Sequence, residues 1–315
     1  RIIGGIGIGI TSMAAPVYIS EIAPAKQRGR LVSFYQLSIT LGILLAFLVN
    51  TIILYCAGDK AGVVTQQRGT FFNWIFVSEL WRGMLGTEAI PAIMFLILLV
   101  IIPESPRWLA EKGFKDKAFD VLVRINGQVE AQKEMNDINE IIKQQTGGIK
   151  QLLEPMFRRP LMICILLPTF AHLSGIAAVM YFAPKILSEA GLSLGGSFGA
   201  AITIGIINCL FTFLAIWKID KFGRRPLLLG GIGGAFVSLL LVGILFRLNI
   251  THKYLVLIPI LSYIACFAFS FGPGVWVVIS EVFPTRTRGI AVGVGALALW
   301  VVAFAVSQTL PRLIE

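Results

Sequence analysis

Two carboxylates each stand seven residues ahead of an arginine-glycine pair: Glu21 before Arg28-Gly29, and Glu281 before Arg288-Gly289. The strings that hold them, ISEIAPAKQRG from Ile19 to Gly29 and ISEVFPTRTRG from Ile279 to Gly289, agree at six of eleven positions. Asp220-Lys-Phe-Gly-Arg224-Arg225 adds a further acid and two more arginines. A carboxylate and a guanidinium near a wet surface form reversible ion pairs worth on the order of a few kcal/mol at most, so the pattern suits switching rather than bond-making. The same residues also suit topology anchors and helix caps. Anchoring a loop, however, does not require one Glu-to-Arg spacing in two distant places.

A second set consists of polar side chains inside apolar runs, where each is costly and therefore a functional candidate. Gln36, Asn50, His172, Asn208 and Gln308 are the main neutral ones. Amides pair with ligand hydroxyls and aromatic faces pack on C–H surfaces, and Gln36, Tyr181, Asn208, Trp276 and Trp300 supply both kinds of group. Interhelical hydrogen bonding and packing would use the same residues. His172 can bind a ligand or titrate near neutral pH, or simply bond between helices. Glu88 is the one acid inside an apolar run away from the repeat, which makes it a proton site or an acid snorkelling to the interface.

Other chemistries lack their parts. Ser12 and Ser174 have no base nearby in sequence, and Gly4, Gly5, Gly7 and Gly9 follow no strand, so they read as close helix packing and not as a nucleotide loop. His172 and His252 make no metal pair, and the four cysteines, Cys56, Cys164, Cys209 and Cys266, are too scattered for a disulfide framework. No metal and no cofactor are expected, and an enzyme is not the reading. The net charge of +10 is spread over short loops rather than gathered on one face, so nucleic acid is not an expected partner.

The elements that position these residues follow from composition. Hydrophobic residues make up 56 % of 315 and charged ones 14 %, with mean hydropathy +0.82. Runs such as Leu161 to Met180 have the length of about 20 residues that a hydrocarbon slab of about 30 Å requires, and they do not alternate as barrel strands do. Eight spans are predicted, at about 2–22, 31–55, 84–102, 160–187, 196–217, 226–246, 254–280 and 288–311. Loops 23–30, 103–159, 218–225 and 284–289 hold 3, 10, 4 and 2 Lys/Arg, against 3, 1 and 2 in 56–83, 185–195 and 247–253. The first group is cytoplasmic by the positive-inside rule. The organisation expected is three helices over 1–102, a cytoplasmic linker with short amphipathic helices over 103–159, and five helices over 160–315. A repeat that ends spans in both parts points to a duplicated helix bundle, which is an architecture of carriers.

Five ordered motifs carry a resemblance across the whole chain: Pro16-Val-Tyr-Ile-Ser-Glu-Ile-Ala-Pro24 with Arg28-Gly29, Pro103-Glu-Ser-Pro-Arg-Trp-Leu109, Asp220 to Arg225, Glu281-Val-Phe-Pro284 and Arg288-Gly289. They resemble the sugar porter family of the major facilitator superfamily, with the closest likeness to bacterial xylose/proton symporters. The resemblance implies an all-α membrane protein with two pseudo-symmetric halves, of which this chain would span the fourth to eleventh of twelve helices. It implies alternating access in the cytoplasmic membrane by a monomer, with a monosaccharide or polyol and protons as partners beside the lipid bilayer. A uniporter, a non-transporting sensor on the same scaffold and a carrier of another small molecule are the alternatives.

By position in the family's motifs, Gln36, Tyr181, Asn208, Trp276 and Trp300 line the sugar cavity, with His172 as the added polar group. Glu21, Arg28, Asp220, Arg224, Glu281 and Arg288 form the cytoplasmic gate that latches the halves together. Arg1 matches an arginine that serves proton coupling, a role for which Glu88 is the other candidate. The chain departs from the family at the centre of the site, where Ala171, His172 and Ala177 replace amides, Leu299 replaces a frequent Gln, and Ile43 replaces another polar position. These losses point to a smaller, less hydroxylated or differently shaped substrate.

Overall fold

The computed structural model describes residues 2–24, 27–60, 79–143, 149–180, 194–248 and 253–314, and among them the regular structure is helical with no strand. Eight helical stretches among the described residues are long and apolar enough to cross a bilayer, from Ile2–Ile22 to Thr287–Thr309. The first helices are α1 (Ile2–Ile22) and α2 (Arg28–Lys60), followed by α3 (Leu80–Gly86) and α4 (Ala89–Ile101), which together make one span from Leu80 rather than from residue 84. None of the α4 residues is buried, and Ile93, Leu96 and Val100 stand exposed. A helix apolar on every side without a buried face is solvated by lipid tails.

Beyond α4 the pattern becomes amphipathic, and the chain folds into three short helices, α5 (Pro106–Glu111), α6 (Lys115–Asn126) and α7 (Gln128–Lys143). Leu109, Leu122 and Met135 bury one face of each in a small shared core. Ser105 caps α5 by accepting from the Trp108 N–H, and Pro106 at the first helical position gives up no needed donor. The Tyr18 hydroxyl donates to the Pro103 carbonyl at 2.7 Å, which docks this segment on the end of α1. A 3-10 turn at Ile149–Leu153 buries Leu152 in the main bundle core and a second at Pro155–Phe157 leads into the next span.

The remaining helices are α8 (Arg158–Leu173), α9 (Leu194–Phe222), α10 (Arg224–Arg247), α11 (Lys253–Phe269), α12 (Phe271–Val282) and α13 (Thr285–Ile314). Two spans that the apolar pattern reads as continuous are broken. α8 stops at Ser174, Gly175 takes φ +92°, and the backbone is helical again over residues 176–180. A residue with a Cβ enters that left-handed region only with strain. The buried Tyr263 hydroxyl lies 3.0 Å from Ser174 Oγ and donates to the Ser174 carbonyl at 3.0 Å, so a distant helix holds the turn. The second break falls between α11 and α12 at Ser270. Pro273 has no N–H to return to the Phe269 carbonyl, and Ser270 Oγ donates to the Cys266 carbonyl at 2.7 Å.

Small residues let these helices approach closely, as is usual where lipid removes the hydrophobic drive between them. A Cβ on Gly231 of α10 would lie 2.2 Å from Ser270 Cβ, and one on Gly234 would lie 2.5 Å from Cys266 Sγ. α9 meets α2 in the same way, with Gly205 against Leu44, and α13 meets α8 where a Cβ on Gly295 would be 3.1 Å from Cys164 Sγ.

Candidate functional site

Between α1 and α2 on one side and α8, α9, α11, α12 and α13 on the other lies a cavity of about 180 Å³. About 10–15 Å³ of such space is enough to hold one water, so the cavity admits a small solute. Its lining includes Gln36 of α2, His172 of α8, Asn208 of α9, Trp276 of α12 and Trp300 of α13, five of the six residues expected at a binding site. The sixth, Tyr181, lies outside the described residues. Asn208 and Trp276 are buried, and the His172 Nδ1 is buried without a hydrogen-bond partner among the described residues. The positions where the sequence departs from the family's amides, Ala171, Ala177, Leu299 and Ile43, form apolar wall in the same cavity.

Two contacts join the sides across this space. The Trp276 ring meets Tyr35 edge-on, with centroids 5.3 Å apart and planes at 89°, an arrangement aromatic quadrupoles favour. Trp300 Nε1 donates to Ser12 Oγ at 3.0 Å, and that hydroxyl in turn donates to the Ile8 carbonyl. Ser12 and Tyr35 were not among the residues expected at the site. Tyr35 adjoins Gln36, and Ser12 is a lone hydroxyl in an apolar run, but neither the neighbour nor the run says which way a side chain faces.

At the opposite end of the spans the charged repeat is only partly paired. Arg224 donates to Glu281 through Nη2 at 2.7 Å and through Nε at 3.0 Å, a bidentate fork. Both residues follow the linker, on α10 and α12. The start of α2 presses on the pair, because a Cβ on Gly29 would lie 3.1 Å from Arg224 Nη2 and 3.1 Å from Glu281 Oε1. Glu21 does not repeat this arrangement. It accepts from Ser105 Oγ at 2.5 Å, so the cap of α5 occupies the place where an arginine was expected. Arg288 is 8 % exposed, and its Nη2 points to the Phe283 carbonyl at 3.5 Å. Its Nε and Nη1, like the Arg28 Nε, are buried without a hydrogen-bond partner among the described residues.

Asp220 lies near the end of α9 on described backbone, and Arg1 falls outside the described residues. Glu88 sits exposed in the turn between α3 and α4, away from the cavity wall. Among the described residues no three or more His, Cys, Asp or Glu side chains gather as a metal site.

A family model for "Sugar (and other) transporter" matches residues 1–315. The chain is 36 % identical over 318 residues to the arabinose-proton symporter of Bacillus subtilis (strain 168), covering 100 % of this chain and 65 % of that protein. Its fold superposes with a TM-score of 0.83 on XylE, a proton:xylose symporter of the major facilitator superfamily bound to 6-bromo-6-deoxy-D-glucose, at 36 % identity over 99 % of this chain and 62 % of that one. Against the inward-open conformation of the xylose transporter XylE from E. coli, also 36 % identical and with the same shares covered, the TM-score is 0.72. The chain thus spans less than two thirds of the length of these relatives.

Proposed function

We infer the function from one premise, that the chain belongs to the Sugar (and other) transporter family. Its architecture is the all-α bundle of the major facilitator superfamily, with two pseudo-symmetric halves in a multi-pass membrane protein. The protein carries a monosaccharide or related polyol across the cytoplasmic membrane by alternating access, in symport with protons; it moves its substrate and does not transform it. The observation that carries this reading is the cavity itself. Its amides and indoles come from helices on both sides of the linker, so a ligand there feels any movement of one half against the other. The division into 1–102, a linker over 103–159 and 160–315 belongs to the same proposal, with the α5–α7 bundle riding on α1. Proton coupling is supported by the name of the arabinose-proton relative, with Glu88 and Arg1 as the residues to test.

Cytoplasmic closure rests on the surface that Arg224 and Glu281 present to Gly29. Glu281→Gln leaves the Arg224 charge less compensated beneath Gly29, where water reaches it least while the halves are together, a cost to the closed state of about 1 kcal/mol, or about five-fold in the balance of states. The expected result is faster alkylation from the cytoplasmic face of a cysteine introduced as Gln36→Cys. Unchanged labelling would remove the pair from the gate.

Transport is tested with the entire gene product in liposomes, following labelled pentoses, hexoses and polyols together with external pH. Uptake accompanied by alkalinisation of the medium is expected. Uptake without alkalinisation overturns symport, and binding without uptake overturns the carrier in favour of a sensor.

A further inference from the structure

Five of the residues that line the cavity, Ala171, His172, Ile176, Ala177 and Met180, flank the break that follows α8. An unbroken helix turns about 100° per residue, which would leave Ala171 and Ala177 facing about 120° apart. The corner at Ser174 and Gly175 lets both border one cavity. Nothing lies within 4 Å of a Cβ at residue 175, so the glycine serves the φ of +92° and not a close approach.

The polar groups of the corner are accounted for one by one. The Ser174 N–H donates to the Phe170 carbonyl at 3.0 Å and the Gly175 N–H to the His172 carbonyl at 3.1 Å. Helical bonding resumes with the Val179 N–H on the Gly175 carbonyl at 3.0 Å, and Ser174 Oγ donates to the Ala171 carbonyl at 2.6 Å. The Ser174 carbonyl takes its hydrogen from another helix, from the Tyr263 hydroxyl at 3.0 Å. Tyr263 is fully buried and is not among the residues that line the cavity. Its ring centroid lies 6.2 Å from that of Phe267, and Phe267 lies 5.6 Å from Phe271. Both phenylalanines do line the cavity, so Tyr263 joins the wall that α8 supplies to the wall that α11 and α12 supply.

We propose that Tyr263 is a positioning residue for substrate: through the Ser174 carbonyl it sets the corner that turns His172, Ile176 and Ala177 into the cavity, and it touches no ligand itself. This rests on the reading of the cavity as the substrate site. Without the hydroxyl a buried carbonyl is left unpaired, and the corner shifts until that carbonyl finds another donor. The wall then meets the ligand less well before and during its passage alike, so KM rises while kcat holds.

The test is uptake of labelled D-xylose, D-glucose and myo-inositol by the entire gene product in liposomes, read as KM and kcat for whichever of them is carried. Tyr263→Phe is expected to raise KM about tenfold, which is about 1.4 kcal/mol and the net worth of one hydrogen bond, with kcat within about twofold. Gly175→Ala strains the same corner without meeting a neighbour and is expected to raise KM likewise. Ser174→Ala keeps the carbonyl bond and is expected to leave KM within about twofold. Ser238→Ala is the control for stability alone. Ser238 is buried on α10, bonds to the Gly234 carbonyl at 2.8 Å and to Ser262 Oγ at 3.1 Å, and stands outside the cavity wall. Its loss is expected to lower the melting temperature and leave KM unchanged. A folded Tyr263→Phe protein with unchanged KM overturns the inference. So does a fall in kcat alone, which would assign the hydroxyl to the movement of the carrier. A rise in KM for Ser238→Ala equal to that for Tyr263→Phe overturns it as well, because loss of any buried hydroxyl beside α11 would then suffice. If Tyr263→Phe does not fold, Gly175→Ala decides, and unchanged KM there overturns the inference. No uptake of any of the three by the unaltered protein overturns the carrier reading and this inference with it.

Discussion

Gly231→Ala is expected to abolish most of the folded protein, while Gly230→Ala and Gly233→Ala leave yield and melting temperature nearly unchanged. Nothing lies within 4 Å of a Cβ at residues 230 or 233. At residue 231 the new atom would be 2.2 Å from both Ser270 Cβ and Oγ and 2.8 Å from the Cys266 carbonyl oxygen. A flexible side chain could swing aside, but a backbone carbonyl cannot, and Ser270 is fully buried. The same serine secures the break between α11 and α12 through its bond to Cys266, so relief of the clash undoes the junction that brings Phe271 and Trp276 to the cavity. Overpacking of a dense interior costs about 1–3 kcal/mol, and an atom forced against backbone belongs at the top of that range or above it. Size-exclusion profiles and thermal melts of the three variants check this, and equal behaviour of all three would mean that α10 and α11 do not meet at Gly231.

Trp276→Ala is the change expected to matter most for ligand. The indole is 6 % exposed, lines the cavity and is braced edge-on by Tyr35, so truncation removes both the apolar face on which a sugar ring would lie and the support of the α2 wall. Large-to-small changes of this kind cost about 3–5 kcal/mol. A loss of half that amount from binding, about 1.5–2.5 kcal/mol, is about 12-fold to about 60-fold. Trp276→Phe should restore part of the affinity because the ring body remains. Trp300→Phe should cost only a few-fold, since the Trp300 N–H is already engaged by Ser12. The measurement is sugar-dependent melting of each variant relative to its own sugar-free melt, which separates binding from stability. Retention of the full sugar-induced shift in Trp276→Ala would take that residue out of the site.

Span number and the amphipathic segment between the spans were readable because hydropathy and period are local properties. The breaks were not readable, although their signals stand in the sequence. A hydropathy window treats Gly175 and Gly272-Pro273-Gly274 as small or neutral residues, whereas the Ser174 turn depends on Tyr263, 89 residues away. Cavity residues on α2, α9 and α12 could be placed from motif position. Ser12 and Tyr35 could not, because their part in the wall follows from helix rotation and from partners on α13 and α12. The two Ile-Ser-Glu strings are identical, but the hydrogen-bond partner of a carboxylate is set by whatever element folds over it. For Glu21 that element is the α5 cap, and for Glu281 it is the first turn of α10.

The seating of Gly29 changes the meaning of that second pair. Arg224 and Glu281 belong to the same half, so their bond does not span the seam; it tiles a patch of opposed charges into a neutral plate, and the glycine of the other half rests on the plate like a bare foot. Parting the halves at this point lifts a backbone from a surface whose charges stay matched to one another. Parting therefore does little work against the attraction between Arg224 and Glu281 themselves; the charges that act across the seam are those of Arg28 and Glu21 on Arg288, and it is on these that dissolved salt acts by screening.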